Sequence, residues 1–352
     1  MSDYRSLLVV RRDNIGDLVC TTPLLAALRQ RYPRAWIGAL VNSYNAPVLE
    51  RNPDLDEVIV YRKLKHVDPG RSKLVALGGR IASLWRLRRM KLDCVVLAAP
   101  GFVPRTLTLA RALAPRAIAG FSDGSRAAEA IDLPVALASV QGRHEVEQVF
   151  SLARMLDFEG EIPPLRMIPD PAAVGQANAA LQRRGLGKRR PLIGVHVSAR
   201  RASQRWPADR YAELIPQLHG NCGGEAMLLW SPGTADHPQH PGDDAKAAAI
   251  VQTVGARAPL LAYRTERLSE LIGALSLCDA VVCSDGGAMH LAAALGKPIV
   301  CLFGDSPASR WRPWGVPHRV LQAAGRHVDG VSVQEVAHAF GELVKGTNGG
   351  QP

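Results

Sequence analysis

Two polar turns hold the residues of this sequence that are best suited to chemistry. Residues 11–17, RRDNIGD, follow one apolar run, and residues 284–290, SDGGAMH, follow another. Paired glycines let backbone N–H groups come close to a ligand, and the start of a helix carries a partial positive charge. The second turn therefore suits a diphosphate. It equally suits a tight turn whose glycines serve only the backbone, and the turn alone does not decide between these interpretations.

The elements around the second turn must position it. Apolar runs at 280–283 and 299–303 predict two buried strands, with a short helix at 291–295 between them. Gly296 and Pro298 end that helix. Strand, glycine turn, helix and strand in this order are typical of a parallel α/β sheet.

The same alternation fills the rest of the chain. We predict strands at 7–10, 36–41, 57–61, 93–98, 117–121, 192–197 and 226–230, and helices at 22–31, 73–89, 102–113, 144–156, 172–184, 211–218, 243–251, 268–278 and 332–344. Four prolines in segment 160–171 predict an extended linker between two α/β domains. Ligands commonly bind in the cleft between such domains.

Length and charge narrow the class of protein. A chain of 352 residues is long enough for two domains. Its net charge of +11 indicates acidic partners such as nucleotide phosphates or an anionic membrane surface, although a plain solvated basic surface has the same composition. The charge is dispersed and no nucleic-acid-binding module is recognisable, so we predict no nucleic-acid partner.

Cysteines and apolar runs indicate the compartment. The six cysteines form no CxxC pair, so we expect buried thiols in a reducing compartment. The first apolar run is too short for a signal peptide, and no run reaches the length of a transmembrane helix. We therefore expect a cytoplasmic protein whose basic surface can contact the inner face of the cytoplasmic membrane.

Two stretches together resemble glycosyltransferase family 9, the heptosyltransferase-like enzymes of bacterial lipopolysaccharide assembly. They are residues 12–23 and 284–298, and shorter stretches at 205–207, 229–233 and 303–305 support them in the family's order. The resemblance covers most of the chain. It implies an α/β, GT-B architecture, in which two Rossmann-like domains face each other across a cleft.

The resemblance also implies which domain binds the acceptor and which binds the donor. Residues 1–165 would form the acceptor domain and residues 172–330 the nucleotide-sugar donor domain. A helix at 331–345 would pack back on the N-terminal domain, and residues 346–352 would form a flexible tail. The implied reaction is inverting and needs no metal and no cofactor. Its co-substrate is a nucleotide-sugar, for which an ADP-sugar is the leading candidate.

Asp17, which follows Gly16 after the first strand, is the general base that the resemblance implies. Inverting transfer needs a group that removes the proton of the acceptor hydroxyl. Asp13 is the nearby rival for this role, and Asn14 belongs to the same acceptor-side loop. The alternative is that Asp17 only caps the following helix, where aspartate is favoured.

Asp285, Gly286, Gly287 and His290 match the family's donor-binding loop. The amides of the two glycines are expected to bind the diphosphate at the start of the helix. The negative charge of Asp285 suits loop amides or a sugar hydroxyl better than phosphate. His290 either points toward the phosphates or is a partly buried helix residue.

One position departs from the family. Many members have a lysine two residues before the Trp-Pro pair, where it neutralises donor phosphate, and here that residue is Gln204. Arg205, or Arg200 and Arg201, would have to supply the charge. The alternative is a solvated basic loop. The resemblance also places Ser198 against phosphate.

Trp230 and Gly233 mark another strand end. The resemblance places them beside the base or ribose of the donor, and the alternative is a plain turn.

The predicted function is therefore an inverting, metal-independent glycosyltransferase with a nucleotide-sugar donor and a lipid-linked, lipopolysaccharide-type or other glycan acceptor. Heptose from ADP-heptose is one candidate. Two alternatives stay open: a nucleotide-sugar epimerase of similar fold and a non-catalytic nucleotide-sugar-binding protein.

Overall fold

The chain consists of two compact units. The computed structural model describes residues 3–61, 73–188, 191–237 and 241–348. The units are Met1–Met167 and Ile168–Pro352. The division falls inside the proline-rich segment 160–171.

The first unit is built on a six-stranded parallel sheet. Its strands are β1 Ser6–Val10, β2 Trp36–Asn42, β3 Glu57–Tyr61, β4 Cys94–Leu97, β5 Ala117–Ser122 and β6 Leu133–Ala136. Its helices are α1 Ile15–Val19, α2 Thr22–Arg31, α3 Lys73–Arg89, α4 Pro104–Leu113, α5 Leu137–Val140 and α6 Glu145–Met155. The strand order is β3-β2-β1-β4-β5-β6. The order reverses between β1 and β4, which pair in register from Leu7 opposite Cys94 to Val10 opposite Leu97.

The second unit repeats this topology. Its strands are β7 Leu192–His196, β8 Glu225–Trp230, β9 Leu260–Arg264, β10 Ala280–Ser284, β11 Ile299–Phe303 and β12 His318–Gln322. Its helices are α7 Pro171–Arg183, α8 Ala208–Cys222, α9 Asp244–Val254, α10 Leu268–Leu277, α11 Gly287–Ala294, α12 Ala308–Trp311 and α13 Val333–Asn348. The strand order is β12-β11-β10-β7-β8-β9, so it reverses between β7 and β10.

Apolar strands explain why the centre of each sheet forms. Every residue of β7, β10 and β11 is buried, as expected where helices cover both faces of a parallel sheet. Trp206 anchors α8 to one face of the second sheet. Its side chain has no exposed surface, its indole N–H donates to the Val331 carbonyl at 3.0 Å, and its ring meets Tyr211 edge to face at 4.8 Å.

Three strands lie outside the predicted set. They are β6, β9 and β12, and each is an edge strand of its sheet. Exposed residues interrupt each of them, and β6 contains Pro134. An edge strand pairs with only one neighbouring strand and tolerates proline. These three strands therefore form without the continuous apolar run that identified the inner strands.

The last helix extends further than predicted. The described apolar residues of α13, including Val336 and Phe340, lie in the core of the second unit together with those of α8, and packing of this helix on the N-terminal domain stays a prediction. The helix also continues to Asn348, so residues 346–348 are helical instead of forming a tail. The remaining predicted tail residues, 349–352, lie outside the described residues.

The cysteines lie mainly in the interior of the two units. All six cysteines are present as thiols, and five of them are buried. Across the described ranges, no helix combines the length and apolar character that crossing a membrane requires.

Candidate active site

Both sheets place their polar loops where the strand order reverses. In open parallel sheets, the carboxyl ends of the two strands at such a reversal are where ligands bind. In the first unit these ends lead into residues 11–17 and Ala98. In the second unit they lead into residues 197–205 and 285–287. The two motifs that suggested chemistry in the sequence therefore both lie at a strand reversal, one after the first strand of its unit and the other after the fourth.

A buried guanidinium organises the first loop. Arg11 follows β1 and is 2% exposed. Its Nη1 donates to the carbonyl of Ala98, the residue after β4. Its Nη2 donates to Asp17 Oδ1 at 2.9 Å and to Glu145 Oε1 at 2.7 Å. Arg11 thus joins both strands of the reversal to the first residue of α6.

Asp17 is held in one orientation. Its Oδ2 accepts hydrogen bonds from the backbone N–H and the side-chain amide of Asn14, both at 2.9 Å. The first of these contacts caps α1, so the alternative role as a capping residue is real. The side chain of Asp17 nevertheless keeps 13% of its surface exposed, whereas Glu145 is fully buried. Capping and access to a ligand are therefore compatible.

Asp13 is held less firmly than Asp17. Its Oδ2 lies 3.0 Å from Arg11 Nε, but this nitrogen makes no hydrogen bond of acceptable geometry, and the Asp13 side chain is 40% exposed. Burial raises the pKa of Asp13, partly opposed by Arg11. Burial alone would lower the pKa of Arg11, but Asp17, Glu145 and Asp13 together raise it.

Side chains from the next loop fix the backbone beside Asp13. The amides of Asn42 and Asn45 donate to the carbonyls of Arg12 and Asp13 at 2.6 and 3.2 Å, and the Tyr44 hydroxyl also donates to the Asp13 carbonyl. Gly16 is buried within α1. The predicted residues Asp13, Asn14, Gly16 and Asp17 therefore form one rigid loop. The sequence interpretation missed Glu145, because no local motif marks a glutamate 134 residues from Arg11.

In the second unit, Gln204 and Asp285 meet. Gln204 is 6% exposed, and its side-chain amide donates to Asp285 Oδ2 at 2.7 Å and to the Ser306 hydroxyl at 3.1 Å. Burial raises the pKa of Asp285 in spite of these contacts. A neutral amide stands where many family members are expected to have lysine, so this buried carboxylate has a hydrogen-bonding partner without a formal charge.

Two of the three arginines proposed to replace that lysine pair with acids. Arg205 donates to the Ala199 carbonyl at 2.7 Å and pairs with buried Asp243. Arg201 lies 3.3 Å from Asp305, and both side chains are about half exposed. Arg200 is exposed. Arg201 and Arg200 are therefore more exposed to a ligand than Arg205.

The backbone of the glycine loop requires glycine at its first glycine position. Gly286 has φ 159° and ψ −168°, a region that is essentially restricted to glycine, and α11 begins at Gly287. His290 is 3% exposed, and its ring lies edge to face with Trp311 at 5.9 Å. It is therefore more buried than either sequence interpretation assumed.

Asp244 closes the turn after β8. It accepts hydrogen bonds from the Trp230 indole at 2.8 Å and from the Gly233 backbone at 2.9 Å. Bonds from Arg264, Trp230 and Gly233 lower the pKa of Asp244 to about 2. The Ser198 hydroxyl accepts a hydrogen bond at 2.9 Å from the backbone N–H of Ser231, the residue that follows β8. Asp244 was missed by the sequence interpretation.

The buried imidazole of His196, at the end of β7, is expected to make the stability of the second unit depend on pH. Neither ring nitrogen has a hydrogen-bond partner among the described residues, and burial, with the charge of Lys246, lowers the pKa to about 4. Between pH 6.5 and pH 4 the unfolded chain therefore binds a proton that the folded chain does not, so stability falls as the pH falls through this window. We expect His196→Leu to remove about 2 kcal/mol of this loss at pH 4.5.

Urea unfolding of the native protein and His196→Leu at pH 7 and pH 4.5 measures this difference. His338→Leu, at an exposed position on α13, is the matched control and should keep the native pH dependence. An unchanged pH dependence in His196→Leu would contradict the assignment.

The two Rossmann-like units, each with polar loops at its strand reversal, define the chain as a two-unit α/β protein of the GT-B kind. Residues 81–335 match the family model of glycosyltransferase family 9 (heptosyltransferase). The chain therefore belongs to this family and is a glycosyltransferase, which confirms the predicted family and enzyme class.

Known relatives agree along nearly the whole chain. Lipopolysaccharide heptosyltransferase 2 of Escherichia coli (strain K12) is 26% identical over 324 residues, which are 90% of this chain and 87% of the relative. A glycosyl transferase family 9 structure from Veillonella parvula DSM 2008 matches with a TM-score of 0.80 at 22% identity and covers 98% of both chains. The E. coli heptosyltransferase WaaC with ADP matches with a TM-score of 0.74 at 20% identity, over 96% of this chain and 99% of that one. These structures confirm the predicted GT-B fold class.

Proposed function

We propose that this glycosyltransferase transfers heptose from ADP-heptose to a lipopolysaccharide acceptor with inversion at the anomeric carbon. The name of the E. coli relative supports the sugar and the acceptor, and the WaaC structure with ADP supports the nucleotide. The donor would bind the second unit at residues 285–287, and the acceptor would bind the first unit beside residues 13–17.

The observation that carries the mechanism is the state of Asp17. Three donors fix its carboxylate, from Arg11 and from both N–H groups of Asn14, and part of its surface stays exposed. A fixed and accessible carboxylate suits a general base better than the more exposed Asp13 or the enclosed Glu145.

Each group then has a defined task. Asp17 takes the proton of the acceptor hydroxyl as that oxygen attacks the anomeric carbon, and the bond from that carbon to the diphosphate breaks. ADP leaves with the bonding electron pair. The amides of Gly286 and Gly287 at the start of α11 would stabilise the negative charge on the departing diphosphate. Arg200 or Arg201 would add positive charge there.

A donor and acceptor assay tests this function. We expect ADP-heptose, but not UDP- or GDP-sugars, to raise the melting temperature, and we expect ADP release to require heptose-deficient lipopolysaccharide. Conversion of ADP-heptose to an isomer without acceptor would instead support the epimerase, and binding without turnover would support a non-catalytic protein.

Gly286→Ala tests the donor loop within the same assay. The added Cβ meets no atom within 4 Å, so its effect comes from the backbone conformation that alanine disfavours. We expect ADP-heptose to bind about tenfold more weakly or worse. Gly175→Ala in α7, where the Cβ also meets no atom, is the matched control and should bind ADP-heptose normally. Equal affinities for both variants would contradict this donor site.

Helix α3 supports a peripheral contact with an anionic membrane. Ile81 and Trp85, one turn apart, are 58% and 59% exposed, and the Arg89 guanidinium lies 4.5 Å from the Trp85 ring centre. Arg86 and Arg88 flank them. Exposed tryptophan beside arginine suits the interface of an anionic bilayer. We propose that the protein acts at the cytoplasmic face of the membrane that holds its acceptor.

A further inference from the structure

We propose that Glu145 is a positioning residue for the transfer reaction. It would hold the Arg11 guanidinium in place and take up part of its positive charge, so that Asp17 keeps its affinity for a proton. The inference rests on the proposed role of Asp17 as general base.

The first step is the shared nitrogen. Arg11 Nη2 donates to Asp17 Oδ1 and to Glu145 Oε1, so the two carboxylates face one another across one amine of the guanidinium. The 0% exposure of Glu145 excludes it from contact with a substrate. Its function must therefore act through Arg11.

The second step is the balance of charge. An arginine paired with one carboxylate would hold that carboxylate in its charged form and make it a poor base. Here the single guanidinium of Arg11 faces Asp13, Asp17 and Glu145. The two other carboxylates compensate part of the charge of Arg11, so the guanidinium orients Asp17 while its positive charge is shared among three carboxylates.

The third step is the rest of the surroundings. Other titratable groups at this place come from three elements: Arg12 from the loop after β1, Tyr44 from the loop after β2, and His144 and Glu147 from the start of α6. Arg12 lies over the Tyr61 ring at 3.9 Å. His144 accepts from the Val146 backbone, and Glu147 accepts from the His144 backbone. These contacts hold α6, and none of them replaces the pairing of Glu145 with Arg11.

Glu145→Gln tests the inference because it keeps the shape of the side chain and removes its charge. We expect kcat with ADP-heptose and heptose-deficient lipopolysaccharide to fall about three- to tenfold. In the plot of kcat/KM against pH, we expect the acidic limb, where activity falls as Asp17 becomes protonated, to move about one pH unit lower. KM for ADP-heptose should stay within about twofold, because Glu145 belongs to the unit proposed to bind the acceptor.

Three further variants make the test decisive. Glu147→Gln, two residues along the same helix, removes a capping carboxylate and should leave the acidic limb in place. Glu145→Asp restores the charge and should return the limb toward its native position. Asp13→Asn removes a compensating charge at a partly exposed site, so it should move the limb in the same direction as Glu145→Gln even if that buried variant folds poorly.

The outcomes separate this inference from the proposed function. Turnover by Asp17→Asn would overturn the general base itself. An inactive Asp17→Asn together with an unmoved limb in Glu145→Gln and Asp13→Asn would overturn only the role of Glu145. If the acidic limb moved as far in Glu147→Gln as in Glu145→Gln, Glu145 would have only a structural role in α6.

Discussion

Replacing Asp17 with Asn is expected to lower kcat about 10²- to 10⁴-fold while ADP-heptose binding is preserved. The substitution keeps the size of the side chain but removes its ability to accept the acceptor's proton. Donor binding should persist because residues 285–287 lie in the other unit. Steady-state transfer to heptose-deficient lipopolysaccharide gives kcat, and calorimetry with ADP-heptose gives the dissociation constant.

The capping contact of Asp17 requires its own control. Asparagine turns one of its amide hydrogens toward donors of Arg11 or Asn14, so we expect Asp17→Asn to lose about 1 kcal/mol of stability as well. Asp170→Ala removes another capping carboxylate, which accepts from the Ala172 backbone at 3.2 Å at the start of α7. It should lose similar stability and keep its transfer activity. If both variants lost activity alike, loss of a helix cap would explain the effect, and the assignment of Asp17 as general base would be wrong.

The inner strands of each sheet could be predicted from the sequence, but among the four edge strands only β3 could. Inner strands such as β7 and β10 are buried throughout and read as continuous apolar runs. The edge strands β9 and β12 each pair with one neighbour, and each exposes two of its five residues. Their strand conformation depends on hydrogen bonds to the neighbouring strand, and a local sequence pattern does not reveal such bonds.

The packing of α13 illustrates the same limit. Its apolar stripe predicts that one side is buried, but it does not name the surface that covers it. The described apolar residues of α13 join the core that Trp206 and α8 build, and the Trp206 indole bonds to the Val331 backbone just before the helix. This tertiary contact assigns the helix to the second unit.

The candidate site divides in the same way. The loop residues of each strand reversal are contiguous, so their spacing alone brought Asp13, Asn14, Gly16 and Asp17 together. Long-range partners were out of reach. Gln204 contacts Asp285, 81 residues away, and Arg11 contacts Glu145, 134 residues away. The sequence could show that a lysine was absent at position 204, but only the fold shows what the glutamine binds.

Arg11→Met is expected to be the most destabilising single change at this site, by about 3–5 kcal/mol. Removal of a buried partner leaves Glu145, with 0% exposure, as a charge without its cation, and it deprives the Ala98 carbonyl of a donor. Glu145→Leu should cost much less, because Arg11 keeps Asp13 and Asp17. The double variant should recover most of the stability lost in Arg11→Met, since apolar side chains can replace a buried ion pair.

Amide hydrogen exchange of β1 and β4 under increasing urea measures the stability of the first unit directly, without averaging over the second. Arg86→Met is the surface control. Arg86 pairs with Glu57, but the two side chains are 48% and 35% exposed, so its loss should cost no more than about 1 kcal/mol. Additive losses in the double variant would show that Arg11 and Glu145 stabilise the unit independently. A strong recovery would show that the charge of Glu145 is tolerated in the core only because Arg11 is there, which is the condition for using that charge to set the basicity of Asp17.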